Sequence, residues 1–471
     1  MVVGEIVNQT ELLVIGAGPG GYVAALRAAQ VGLDVTLVEA EELGGICLQQ
    51  GCIPSKAWIA AADDYERAKG LGNLGLPLQP GPVDLAQLRA FKDRVVSQLT
   101  NGVAQLLSGR DVHVVKGRAA FISPKVATVE GPEGRQLYRF GQAILATGSH
   151  ARRLSALPAD GERILLPRHL LAMETLPKTL TVVGGGYIGI ELGTAAAKLG
   201  SQVTILEYAD RLLGQVDPDL VRVVERRLKE LGVAVRKGVE VQTGEARQDG
   251  VAIRFAPSGG GASEEIVSER VLVSVGRDAN LADLGLAEAG IPTDGPFLHV
   301  DERMRTNIPH IFAVGDVTGN PMLAHRASHQ GYVAAEVAAG KTAAFLAQAI
   351  PAVVFSDPEL ATVGLSEEEA TMQGYSVRTA QFPMRALGRA LAGRTSQGVA
   401  KLVAEQESGV LLGAGICAAH ASELIAEMTL AIEMGATLED LAATIHSHPT
   451  YAEAWHEAAL LGLGNPLHVL K

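Results

Sequence analysis

Cysteine is scarce in this chain: three residues in 471, at positions 47, 52 and 417. So few exclude the dense disulfide framework of a small secreted domain. Positive charge is in deficit, 40 Lys and Arg against 52 Asp and Glu, for a net charge of −12. That balance repels a phosphate backbone or an anionic bilayer, so neither nucleic acid nor membrane is an expected partner. Long apolar runs are missing too. "AILATG" (143–148) is representative and far too short to span a bilayer. The opening "MVVGEIVNQT" lacks the basic-then-apolar form of a signal segment. These absences together read as a soluble, cytoplasmic protein. What remains is a globular composition, 47% apolar and 20% charged, long enough for about three domains.

Two of the three cysteines stand five positions apart in "GGICLQQGCIPSK" (44–56). Four readings are open at this point: a chance pair, a structural bridge, half of a metal site, or a disulfide made to open and close.

Glycine carries the clearest signal. Residues 12–39, "LLVIGAGPGGYVAALRAAQVGLDVTLVE", run from an apolar stretch through Gly16-x-Gly18-x-x-Gly21 into a helical pattern, then a second apolar stretch ending at Glu39. Residues 180–207, "LTVVGGGYIGIELGTAAAKLGSQVTILE", repeat this with Gly184, Gly186, Gly189 and Glu207. The first glycine permits a tight strand-to-helix turn, the second lets the backbone approach a pyrophosphate, and the third brings helix and strand together. The acid accepts from a ribose hydroxyl. One such glycine triplet alone is weak, since it also makes ordinary turns. Two copies with strand, helix and spaced acid imply two dinucleotides and electron transfer between them. We expect FAD on the first and a nicotinamide nucleotide on the second. Glu207 favours NAD, because a 2′-phosphate would meet a carboxylate there.

Other stretches fill in the layout. "AILATGS" (143–149), "VLVSVGR" (271–277) and "IFAVGDV" (311–317) read as buried strands, the last ending at Asp316, which would bind a ribityl hydroxyl or cap a helix. Apolar spacing at Leu85, Leu88, Phe91, Val95, Leu99, Val103 and Leu106 predicts a long amphipathic helix with a packing stripe. From about 350 the pattern changes to antiparallel strands, followed by helices near 421–434 and 451–461. The expected fold is α/β, with two Rossmann-like dinucleotide-binding domains and an α+β C-terminal dimerisation domain. The boundaries are 1–152 (FAD, first part), 153–276 (NAD), 277–348 (central, completing the FAD site) and 349–471 (interface).

At this point the motifs can be compared with known ones. "GGICLQQGCIPSK" resembles the redox-active segment of the flavin disulfide reductases, and "IHSHPTYAEAW" (445–455) their C-terminal His-Pro-Thr segment. With "PMLAHRASHQG" (321–331) and both glycine fingerprints, residues 10–465 are similar to the dihydrolipoamide dehydrogenase branch of that family, most of all the form serving branched-chain 2-oxo acid dehydrogenase complexes. The resemblance implies a homodimer using FAD and NAD, with a lipoyl domain of an acyltransferase subunit as partner. No lipoyl domain precedes residue 10, so lipoate is expected from that partner. Ile46 and Gln49 stand where the family usually has Thr and Asn, which removes one expected hydrogen bond to the FAD diphosphate, about 1 kcal/mol.

The cysteine pair can then be weighed. Five steps of a regular helix rise about 7.5 Å, beyond the roughly 4.4–6.8 Å between the Cα atoms of a disulfide. A bridge needs an irregular turn between the cysteines, which Gly51 eases, and Pro54 suits the first turn of a following helix. A metal site lacks a second ligand pair, and a static bridge does not suit a reducing compartment. The resemblance makes the pair a redox disulfide, with Cys52 nearer the flavin and Cys47 exchanging with substrate. It makes His448, oriented by Glu453, the base, while His446 reads as a satisfied surface or core residue. Lys56 would lie by the flavin and pair with Glu191, and Cys417 is inert packing. Further cofactor contacts are implied at Gly45, Gly117, Thr147, Gly148 and Ser149, at Ile188, Val241 and Gly276, and at Met322, Leu323 and Ala324. The expected reaction is dihydrolipoamide plus NAD⁺ giving lipoamide plus NADH. Two alternatives remain: a glutathione or mercuric reductase of the same scaffold, and a flavoprotein kept for assembly. Glu207 and the lack of a C-terminal cysteine pair weigh against the first. The presence of Cys47, Cys52 and His448 weighs against the second.

Overall fold

The computed structural model describes residues 7–470; residues 1–6 of the opening segment and residue 471 lie outside it. The run Leu12–Ile15 is buried on both faces, as a central parallel strand requires. It belongs to strand Val7–Ile15, flanked in parallel by Val35–Glu39 on one side and Gly134–Leu145 on the other. His113–Lys116 and Ile311–Ala313 extend this parallel sheet outward. The long strand Gly134–Leu145 also starts an antiparallel meander with Val126–Gly131 and Arg118–Ser123. In register, Ile15 stands beside Val38 and Leu145, and Leu145 beside Ala313. The carboxyl ends of the parallel strands therefore finish together, the edge where ligands bind in open α/β sheets.

A second parallel sheet repeats the device in the order Ala234–Arg236, Gln202–Leu206, Thr179–Val183, Arg270–Val273, Ile164–Leu165. A three-stranded antiparallel sheet, Val239–Arg247, Gly250–Pro257 and Glu264–Ser268, adjoins it. The chain passes between the two nucleotide-type units through Ser149–Ala151 and Arg277–Ala279, which pair antiparallel. The third unit is an antiparallel sheet in the order 352–354, 360–364, 411–417, 399–405, 377–383. Helices Ala421–Glu433, Leu438–Ala443 and Glu453–Gly462 cover it around Phe382, Leu402 and Trp455.

The largest core joins all three units. Trp58, Ile190 and Leu360 belong to one contiguous buried cluster, together with Cys417, whose thiol burial holds protonated. At its centre helix Cys52–Lys69 packs against helix Tyr187–Leu199. Lys56 meets Glu191 and Asp63 meets Lys198, so each contact advances seven residues on both helices and the two run parallel. Both amino termini consequently point to the same end.

One element departs from its sequence reading. Helix Leu85–Ser108 forms, capped by the Asp84 side chain on the Gln87 N–H. Its apolar stripe is only partly buried in the chain, however: Phe91, Leu99 and Leu106 are exposed. Lys92 is buried instead, its ammonium donating to the Leu171 carbonyl and paired with Asp93. Hydrophobic spacing identifies a helix face but not which part of that face a neighbour covers.

Candidate active site

The two fingerprint loops have nearly the same stereochemistry. Gly16 and Gly184 hold φ of +100° and +108°, which favour glycine. A Cβ on Gly21 would lie 1.8 Å from the Gly16 carbonyl oxygen, and one on Gly189 2.0 Å from that of Gly184. The middle glycines, Gly18 and Gly186, face open space. They are also the residues before helices Pro19–Gln30 and Tyr187–Leu199, and no side chain caps either helix. The first-turn N–H groups are thus presented to whatever enters, the arrangement that binds a diphosphate.

Glu39 and Glu207 brace these loops. One Glu39 oxygen accepts from the Ala17 N–H and the other from the Glu41 N–H, each at 2.7 Å. Glu207 does the same with Gly185 at 2.5 Å and Ala209 at 2.7 Å. Each oxygen keeps a second lone pair for a ribose hydroxyl. Gly117 donates its N–H to the Glu39 carbonyl, and Val239, two residues before Val241, donates to that of Glu207. The residues present therefore fit one dinucleotide on each loop.

The cysteine segment lies against the first loop. A Cβ on Gly45, at φ +59°, would meet the Cα of Gly18 at 2.7 Å. Cys47 sits on the short helix Gly45–Gln49, and Cys52 begins helix Cys52–Lys69. Helical geometry breaks between them at Gln50 and Gly51. A Cβ on Gly51 would approach the Ile46 carbonyl oxygen to 3.1 Å. Gln49 has its own work: its amide donates to the Leu43 carbonyl and to Thr100 Oγ1, both at 2.8 Å, tying the segment to the long helix.

Both cysteines are free thiols in this structure. A hydrogen bond from the Cys47 thiol draws Cys52 down to about 7, with desolvation and Glu191 opposing and the Lys56 ammonium assisting. The same hydrogen bond, with burial, raises Cys47. Position helps Cys52 as well, since the first residue of an 18-residue helix lies at the positive end of its dipole. Lys56, one turn on, is 2.9 Å from Glu191, whose side chain is nearly buried. The other Glu191 oxygen accepts from the Phe355 N–H at 3.0 Å, and the Lys56 ammonium rests 4.2 Å from the Phe355 ring centroid. Phe355, from the third unit, was not singled out in the sequence; no pattern in "AVVFSDPE" marks a residue whose role depends on two other domains.

Around the crossing strands, Ser149 donates its hydroxyl to Asp316 and receives Arg277 Nε at 2.7 Å. Asp316 therefore does not cap a helix. Thr147 Oγ1 donates to the Asn280 carbonyl, and the Asn280 N–H to the Gly148 carbonyl. Gly276, at φ +115°, accepts from the Arg152 N–H. Arg277 and Asn280 are thus part of the arrangement, though neither was predicted. Met322 and Leu323 lead into helix Ala324–Ala338, whose buried Gln330 accepts from the Gly315 N–H. Ile188 packs on the shared core beside Tyr187. Tyr187 is partly exposed; burial of its remainder, with Asp316 and Glu191, pushes its phenol up to about 12 against the pull of Arg277.

His448 stands apart. Its side chain is 79% exposed, and its Nδ1 lies 2.8 Å from Glu453 Oε1. Burial works against the Glu453 carboxylate, but hydrogen bonds from the Thr450 N–H and His448 hold it below the usual range. Among the described residues no hydrogen bond or ion pair links His448 to the cysteines of its own chain. No cluster of metal-ligating side chains occurs among them either.

Residues 10–331 match the pyridine nucleotide-disulphide oxidoreductase family, and residues 350–459 its dimerisation domain. The chain is 46% identical to a dihydrolipoyl dehydrogenase of Geobacillus stearothermophilus and 45% to one of Bacillus subtilis, over the full length of each. Among solved structures, LpdA from Mycobacterium tuberculosis superposes with a TM-score of 0.88 at 29% identity, covering 96% of this chain and 99% of that one. The HOCl-induced flavoprotein disulfide reductase RclA of Escherichia coli follows at 0.86 and 25%, with the same coverage.

Proposed function

The chain belongs to the pyridine nucleotide-disulphide oxidoreductase family, and from that premise we propose that it oxidises dihydrolipoamide to lipoamide with reduction of NAD⁺, using FAD and a Cys47–Cys52 redox disulfide. The observation that carries the reading is the parallel packing of helices Cys52–Lys69 and Tyr187–Leu199. It sets the cysteine pair and the second fingerprint loop at one end of the helix pair, locked by Lys56 and Glu191. Gly45 against Gly18 brings the first fingerprint loop to the same place. FAD, held by the Gly16–Gly21 loop, Glu39 and Asp316, supplies the two-electron link between thiols and nicotinamide when bound.

The protein's own groups handle exchange and protons. The substrate thiolate attacks Cys47 Sγ, breaking the Cys47–Cys52 bond to give a mixed disulfide and the Cys52 thiolate. The second substrate sulfur then attacks the first, closing the lipoamide ring and releasing Cys47. Cys52 is the more acidic thiol of the reduced pair, its thiolate favoured by Cys47, the helix terminus and Lys56. His448 takes the proton that the dithiol loses, and the Glu453 carboxylate at 2.8 Å stabilises the imidazolium. The chain works as a homodimer, and we assign His448 to the partner's cysteine pair across the two-fold axis. Its substrate arm is the lipoyl domain of an acyltransferase subunit, within a 2-oxo acid dehydrogenase complex. No described helix is long and apolar enough to cross a membrane, and a reducing cytoplasm suits a cysteine pair that must cycle. A panel of lipoamide, oxidised glutathione and Hg²⁺, run with NADH and then NADPH, tests this. Lipoamide with NADH should dominate, because a 2′-phosphate would face Glu207. Faster turnover of glutathione or Hg²⁺, or equal use of NADPH, would overturn it.

A further inference from the structure

The loop that carries His448 is open to solvent along most of its length. Among the described residues from Ser447 to Glu453, Tyr451 alone is buried. The loop is tied to itself. Thr450 Oγ1 donates to the Ser447 carbonyl at 2.7 Å, the Thr450 N–H donates to Glu453 at 2.8 Å, and Glu453 meets His448 at 2.8 Å. These bonds fix the shape of the loop but not its place on the third unit. On the entry side His446 lies 2.9 Å from Glu427 of helix Ala421–Glu433. On the exit side the Tyr451 ring enters the core of the third unit.

That ring occupies a socket built by a distant stretch, residues 389–395. The Tyr451 hydroxyl lies 2.6 Å from Thr395 Oγ1, which also reaches the Ala390 carbonyl at 3.4 Å. A carbonyl only accepts, so Thr395 donates to it and the phenol donates to Thr395. The Arg389 guanidinium lies 5.6 Å from the centre of the phenol ring, and the His420 ring 5.1 Å, centroid to centroid. Gly393 forms one wall: a Cβ there would approach the Tyr451 hydroxyl oxygen to 2.6 Å. The socket is itself held from outside. Arg394 donates to the Gly70 carbonyl at 3.0 Å, at the end of helix Cys52–Lys69.

We propose that Tyr451 is a positioning residue for the exchange between dithiol and disulfide, its phenol in the 389–395 socket fixing where the loop presents His448. The inference deepens the proposed function and rests on the assignment of His448 as base. A proton acceptor works only within about 2.6–3.2 Å of its donor, and a misplacement of ~1 Å can cost about 10²-fold. His448 has to meet that tolerance from an exposed loop. Its pairing with Glu453 orients the ring within the loop, and both move together if the loop moves. A buried ring held at its hydroxyl supplies the external reference. Arg394 ties that reference to the helix that begins at Cys52.

The test compares the FAD-loaded wild type with Tyr451→Phe, Gly393→Ala and the double variant. The readouts are the rate at which dihydrolipoamide reduces the oxidised holoenzyme on rapid mixing, NADH-dependent dye reduction, and dimer mass. Tyr451→Phe should slow reduction by dihydrolipoamide about three- to tenfold, with dye reduction and dimer mass unchanged. Gly393→Ala sets a methyl group against the hydroxyl and should slow it at least as much. In the double variant the shorter phenyl ring leaves room for that methyl, so it should be no slower than Tyr451→Phe alone. Two losses that simply multiply would show that Gly393 does not act through the phenol, and would overturn the proposal. So would folded variants that keep the wild-type rate, or variants whose dye reduction and dimer content fall in step with dihydrolipoamide reduction, since Tyr451 would then be core packing only. Should Tyr451→Phe not fold, Gly393→Ala carries the test with the same readouts. A wild type that dihydrolipoamide does not reduce would instead refute the proposed function, and this inference with it.

Discussion

Cys52 shows how much one position can do. It opens a helix, stands one turn from an ammonium and receives a hydrogen bond from Cys47, and each of these favours its thiolate. Lowering an acid's pKa means the charged form is present above the lowered value and lost as pH falls through it. In the reduced protein, alkylation of Cys52 should therefore rise with a midpoint near 7 rather than at the higher ordinary thiol value. Cys52→Ser should leave a yellow, FAD-loaded protein that still reduces dyes with NADH but does not couple lipoamide to NAD; normal lipoamide turnover would rule out the redox pair. Residues of this kind were legible in the sequence because their chemistry sits in contiguous motifs: Cys47 and Cys52 in one segment, Glu39 and Glu207 at fixed distance from their glycines. Phe355, Arg277 and Asn280 were not, since their partners lie 164, 128 and 133 residues away. His446 reads as a satisfied residue, and its two ring nitrogens do find partners in the Thr444 carbonyl and Glu427.

At the scale of elements, the helix pair is held by two ion pairs of opposite sense. Lys56 of the cysteine helix meets Glu191, and two turns on Asp63 meets Lys198. A one-turn slip would set these charges against the wrong neighbours, so the pairs fix register as well as contact. Lys198 is nearly buried and bridges Asp63 and Asp357, the latter also 2.9 Å from Arg227 Nε. Lys198→Met would leave two carboxylates without their ammonium. Removing one partner of a buried pair costs about 3–5 kcal/mol. Asp63 is 40% exposed and Arg227 remains, so the expected loss is about 2–3 kcal/mol. It would be read as a lower denaturant midpoint of the holoprotein, and an unchanged midpoint would show that the pair is neutral. Acid tests the same network. Burial opposes ionisation of Asp357, but Lys198 and Arg227 hold it below the ordinary carboxylate range. Its contribution is present above that range and lost as pH falls through the lowered value. Asp63, raised by burial, works in the opposite sense. The helices themselves were legible from glycine spacing and periodicity; their parallel register was not, because period 3.6 names a face and not its partner.

The whole molecule raises a problem that one chain does not solve. His448 is exposed, and no described contact joins it to its own chain's cysteines. The third unit that carries it also exposes Leu430, Met434 and Ile445, at 65, 76 and 96%. Large apolar side chains left exposed on the unit that carries an exposed His448 are what a dimer interface leaves behind in an isolated subunit. The match of residues 350–459 to a dimerisation domain gives that surface its occupant, a second copy. A two-fold interface is isologous, so under the proposed assignment His448 of each subunit would serve the partner's cysteines, giving two equivalent sites. His448→Gln should then slow lipoamide reduction at least ~10²-fold, the usual cost of losing a positioned acid–base group, while NADH-dependent dye reduction is little changed. Chains bearing Cys52→Ser and chains bearing His448→Gln are each expected to be inactive with lipoamide. Mixed, dissociated and allowed to re-form, they should generate heterodimers in which one site combines an intact cysteine pair with an intact histidine. Random reassociation would restore about a quarter of wild-type activity. Recovery should follow heterodimer content measured by mass, and dye reduction should show that the flavin survived the exchange. Heterodimers that form and stay as inactive as their parents would mean that each site draws its base from its own chain. The exposed His448 would then have to reach Cys47 by a rearrangement of its loop.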